Sequence, residues 1–129
     1  MSYVGPGTNV FWVTEIMINN LYDGFWPGGY TQDSIINEAT NYLQLLVNNG
    51  IRVIPLTIYD NSSLNSTQET VRAAINQSLT NFAGIFAWLD AASLVPTNGG
   101  WYYDESELND SGNTNVARQL NAVLDPLRP

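Results

Sequence analysis

One stretch of this sequence limits its fold more than any other: an apolar stripe of helical period running straight into a β-branched segment. Ile35, Ile36, Ala39, Tyr42, Leu43, Leu46 and Val47 recur at the spacing of a single helix face. Thr31 or Asp33 is placed to cap the first turn, and Gly50 stands where a helix commonly ends. Ile51 to Tyr59 (IRVIPLTIY) then reads as a strand. Pro55 has no amide to give a ladder, so it predicts an edge position or a bulge there. A one-sided helix feeding an apolar strand needs a second layer to bury both, which points to an α/β fold.

Similar units flank this one. Val10 to Ile18 (VFWVTEIMI) has almost no polar face and favours a strand covered on both sides over a buried helix. Ser66 and Glu69 have capping-box spacing ahead of Val71, Ala74, Ile75 and Leu79, which predicts a second helix to about Thr80. Phe82 to Leu89 (FAGIFAWL) reads as a third strand. After Leu94 a polar excursion runs to Asn113, and Val116, Leu120, Val123, Leu124 and Leu127 supply a last amphipathic helix. The expected order is β-α-β-α-β-α: a small parallel sheet of three to four strands flanked by helices, with a short extra strand in Trp101 to Tyr103 or in the arm. Residues 1–9, with Gly5, Pro6 and Gly7, read as an extended N-terminal arm on a single domain spanning 1–129.

Composition removes whole classes of function. Cysteine, histidine and lysine are absent, which excludes thiolate and Schiff-base catalysis, Ser-His-Asp triads and Cys- or His-ligated metals. No Gly-rich phosphate loop, dinucleotide fingerprint or calcium loop occurs, so no cofactor and no metal is expected. Four dispersed arginines against twelve acidic residues leave a net charge of −8, which disfavours direct contact with nucleic acid or an anionic membrane. No stretch approaches the ~20 apolar residues of a membrane span, and Met1 to Pro6 lacks the basic and apolar regions of a signal peptide.

Carboxylates remain as the reactive groups. In a parallel sheet the strand C-terminal ends share one edge, so Asp60 and Asp90, with Glu15 or Asp23, would converge there to hold an oxygen-seeking cation or divide acid and base roles. A plainer reading makes each a turn former or cap. A second candidate is Glu105, four residues after Trp101 and preceded by AAINQS (Ala73 to Ser78) and FAGIFAWL. This local order is similar to that of TIR domains, in which a helix, a hydrophobic strand and a Trp-x-x-x-Glu follow in turn. The resemblance implies NAD⁺ cleavage with Glu105 as the catalytic carboxylate and Trp101 as its packing partner. The first strand, VFWVTE, departs from that family's usual VFISY.

Two aromatic-rich irregular segments point elsewhere. Tyr22, Phe25, Trp26 and Tyr30 crowd one loop, and Trp101, Tyr102 and Tyr103 form a second patch. Such residues are favoured anchors of protein interfaces, although a loop folded back over the core would use them equally. With catalytic residue types depleted, the leading expectation is a non-enzymatic structural or assembly subunit with protein partners, most simply copies of itself. The acidic, Asn-rich composition suggests a virion as the assembly, and no other compartment is indicated. The alternatives are a small TIR-like or other carboxylate-based hydrolase, and a module binding sugars or small ligands on the Trp-Tyr patches.

Overall fold

The computed structural model describes residues 11–15, 29, 31–59, 64–102 and 107–127, and within 11–15 only the side chain of Val13. In chain order the elements are β1 (Phe11–Glu15), α1 (Gln32–Asn48), β2 (Arg52–Leu56), α2 (Ser66–Thr80), α3 (Ala91–Leu94), a 3₁₀ turn (Thr97–Gly99), α4 (Asp110–Leu124) and a final 3₁₀ turn (Asp125–Leu127). The described chain is mainly helical, which overturns the expected sheet of three to four strands. Its regular strand pairing stops at β1 lying parallel to β2, from Phe11 beside Arg52 to Glu15 beside Leu56.

Each helix begins at a side chain that satisfies its open amides. Thr31 caps α1 in a reciprocal box with Ser34. The box on α2 is formed by Asn65 and Gln68, one residue ahead of the expected Ser66 and Glu69. Asn109 caps α4 by accepting from the Gly112 amide. Asn49 and Asn81 close α1 and α2, so caps account for several of the sixteen asparagines.

The core lies between α1, α2 and one face of β2. Ile35, Ala39, Leu43 and Leu46 of α1 meet Val71, Ile75 and Leu79 of α2 around Val53 and Ile58, all buried. A fully buried Leu or Ile contributes roughly 1.5–3 kcal/mol of transfer free energy, so this cluster is the main source of stability. Ile36, Tyr42 and Val47 border it, half-buried, and the stripe read from sequence thus faces the core.

The third expected strand, Phe82 to Leu89, is the main departure. It runs beside β2 through three bonds: the Phe86 amide to Val53 O, the Leu89 amide to Pro55 O, and the Thr57 amide to Leu89 O. A regular parallel ladder takes alternate bonds from each strand, two residues apart. Here three residues, Phe86 to Leu89, span the two from Val53 to Pro55, and Pro55 has no amide to return a bond between them. The segment therefore bulges opposite Pro55, and only Leu89 forms a bridge, with Leu56. Proline thus stands where the regular sheet ends, with β1 paired to β2 on one side and the bulged segment, with its single bridge, on the other.

Three further expectations change. Val13 is 37% exposed, so β1 is not covered on both sides. Trp101 to Tyr103 holds no strand among the described residues; Tyr102 makes one antiparallel bridge, with Leu108. Helix α4 begins at Asp110, within the stretch read as a surface excursion. The N-terminal arm, residues 1–9, lies outside the described residues.

Candidate functional site

Beyond the last residue of β2 the chain enters a polar cluster built from α2 and α3. Ile58, fully buried, gives its amide to Asn76 Oδ1 (2.7 Å), while its carbonyl accepts from Asn76 Nδ2 (2.9 Å) and from an Arg72 NH group (2.9 Å). Arg72 also donates through Nε and its second NH₂ group to Glu69 Oε2, at 3.0 and 2.8 Å. A side-chain amide carries the same donor and acceptor as a peptide unit, so Asn76 supplies Ile58 with what a neighbouring strand would. The cluster thereby seals the sheet at its C-terminal end. Glu69 Oε1 is the one buried side-chain oxygen without a hydrogen-bond partner among the described residues.

Asp90, one of the carboxylates expected at this edge, caps the short helix α3. Its Oδ1 accepts from the Ser93 amide and from Thr57 Oγ1, each at 3.3 Å, and its Oδ2 accepts from Ser93 Oγ at 2.6 Å. Both oxygens are thus engaged in structure. Thr57, 5% exposed, also accepts from the Ala92 amide (3.1 Å), so one hydroxyl ties the end of β2 to the start of α3. Thr57→Val keeps the shape and removes both bonds. We expect it to lower the urea midpoint by an amount equivalent to about 1 kcal/mol with an unchanged m value. Asp60, Asp23 and Glu105 lie outside the described residues, as does the side chain of Glu15, so the proposed convergence of carboxylates is represented by Asp90 alone.

Of the seven aromatic candidates for partner binding, Tyr22, Phe25, Trp26, Tyr30 and Tyr103 lie outside the described residues. Tyr102 is held within the chain: its hydroxyl donates to the buried Val95 carbonyl at 2.6 Å, and its ring packs at 5.6 Å and 54° against Tyr59. Trp101 is half-buried and forms one wall of an open cavity of about 320 Å³. The other wall is a single face of α4, carrying Asp110, Ser111, Thr114, Asn115 and Arg118.

Sequence reasoning missed a second surface. Phe86 is 38% and Trp88 45% exposed, in the segment read as a third strand. Arg52 lies over the Phe86 ring, 5.2 Å from its centroid. Val13 is in register with Ile54, two residues beyond Arg52 on the same side of the strand pair, and Ile54 there is fully buried, so Val13 is exposed apart from this aromatic pair. The signal available in the sequence was Pro55, whose effect falls on the neighbouring segment rather than on β2 itself.

The resemblance to TIR domains relied on Phe82 to Leu89 being a strand ahead of Trp101, and the bulged path of that segment removes this support. Among the described residues no helix is long and apolar enough to cross a membrane. No protein-family model matches the sequence, and no curated protein matches it.

Proposed function

We propose that this chain is a non-enzymatic assembly subunit that associates with copies of itself through the surface bearing Phe86 and Trp88. The exposure of Trp88 carries the reading. Tryptophan is heavily buried on average, and a Trp88 left 45% exposed two residues after the exposed Phe86 reads as an anchor for a partner rather than core. Leu45 and Leu127 are also exposed, but on separate helical elements, where single apolar side chains need no explanation. The compositional reading of the assembly as a viral particle belongs to the same proposal.

Light scattering across a wide concentration range tests it. The native protein should show a mass above the monomer that grows with concentration and then reaches a plateau. Trp88→Ala should weaken self-association about tenfold or more while leaving the circular dichroism unchanged. A mass fixed at the monomer value up to the highest soluble concentration would remove the proposal.

A further inference from the structure

The cavity between Trp101 and α4 has the make-up of a ligand site, and its two walls are locked together. The Trp101 carbonyl accepts from the Asn109 amide at 2.8 Å. The Asn109 side chain donates to the carbonyls on either side, Gly100 O at 2.7 Å and Tyr102 O at 3.4 Å, while its Oδ1 caps α4. One residue therefore fixes the backbone of the aromatic wall to the helix that forms the polar wall. The indole is seated as firmly: a Cβ on Gly99 would fall 1.8 Å from Trp101 Nε1, so the pyrrole part of the ring packs directly on Gly99. A platform held in this way loses little freedom when a ligand stacks on it.

The polar wall follows from helical spacing. Asp110, Thr114 and Arg118 stand four residues apart, with Ser111 and Asn115 alongside, all on one face. Asn115 Nδ2 is committed to Leu94 O at 2.7 Å, which leaves its Oδ1 to accept from a ligand. The wall thus mixes acceptors, hydroxyls and the guanidinium donors of Arg118 within reach of one aromatic face. Aromatic stacking combined with donors and acceptors in near balance suits a polyhydroxylated ring. An anion would meet Asp110 and a molecule of net charge −8, and a cation would meet Arg118. A volume of about 320 Å³ is at the small end for ligand sites and admits about one or two sugar rings.

We propose that this groove binds a neutral saccharide, with Trp101 as the stacking platform and Asp110, Asn115 and Arg118 as hydrogen-bonding partners. The groove shares no residue with the Trp88 surface, and its test does not depend on self-association. The test is a ¹⁵N NMR titration of the full chain with maltotriose, cellotriose and chitotriose, and with sialyllactose as the charged comparison. At least one neutral trisaccharide should shift the Trp101 indole N–H and the α4 amides saturably, with an affinity on the order of 1 mM. Trp101→Ala should weaken that binding about tenfold or more. Asp110→Ala, at an exposed helix position and so compatible with folding, should weaken it about fivefold or more by the same measure. No saturable shift with any of the neutral sugars overturns the proposal. So does binding that neither variant alters, or a preference for sialyllactose.

Discussion

Replacing Asn76 by alanine should destabilise the fold by about 2–3 kcal/mol, a large effect for a half-buried polar residue on a helix surface. Ile58 is fully buried, and its amide has Asn76 Oδ1 as its partner at 2.7 Å. Removing the side chain leaves that donor unsatisfied in the core, while the carbonyl keeps its bond from Arg72. The penalty is therefore mainly the desolvation of one amide, with the loss of packing added. Asn76→Asp separates the two halves of the interaction: the carboxylate still accepts from the Ile58 amide but places a second oxygen against the Ile58 carbonyl. Its cost should fall between zero and that of alanine. Urea unfolding followed by circular dichroism measures both variants. An alanine variant within about 0.5 kcal/mol of the parent would mean that water takes over the amide and that Asn76 does not terminate the sheet.

Asn76 also marks where the sequence stopped being legible. A polar residue beside Ile75 on an amphipathic helix reads as solvent-facing, and nothing in the periodicity shows that it pairs with the backbone of Ile58, eighteen residues earlier. The stripe of α1 and its Thr31 cap were readable, because both depend on residues within one or two turns of each other. The cap of α2 was readable to within one residue. Asn65 with Gln68 and Ser66 with Glu69 have the same spacing, and Glu69 turns instead to Arg72. The sheet was over-read for a related reason. Apolar runs at Val10 to Ile18 and Phe82 to Leu89 have strand composition, yet whether a run joins a ladder depends on its neighbour, and Pro55 withholds the bond that Phe82 to Leu89 would need.

The same limit shaped the reading of the candidate sites. Asp90 follows a segment that joins no regular ladder, and its oxygens accept from Ser93 and Thr57, so it acts as a cap. Trp88 lay within a run read only as a strand, which did not show that its ring is exposed in the bulged segment beside Pro55. Of the groove proposed to bind a saccharide only Trp101 could be singled out. The remaining wall falls on a face of α4, and that face exists only if the helix starts at Asp110.

That early start leads to an expectation opposite in sign to intrinsic propensity. Gly112 lies in the first turn of α4, where alanine would ordinarily favour a helix by about 1 kcal/mol. We expect Gly112→Ala instead to destabilise the protein by about 2 kcal/mol. A Cβ at this position would stand 2.5 Å from the Trp101 carbonyl oxygen and 3.2 Å from the Leu108 side chain. The first of these neighbours is backbone and already accepts from the Asn109 amide, so it cannot swing aside as a long side chain would. Relief requires α4 to move away from residues 100–102, which strains the bonds from Asn109 to Gly100 and Tyr102. Thermal or urea unfolding gives the sign directly, and the indole N–H resonance of Trp101 reports whether the groove wall has moved. A stabilised Gly112→Ala variant with an unshifted indole resonance would show that Trp101 and α4 are not in contact as described. The platform assigned to the saccharide would then lose its anchor. Destabilisation accompanied by a shifted resonance would tie the asparagine cap, the close approach at glycine and the groove into one structural unit.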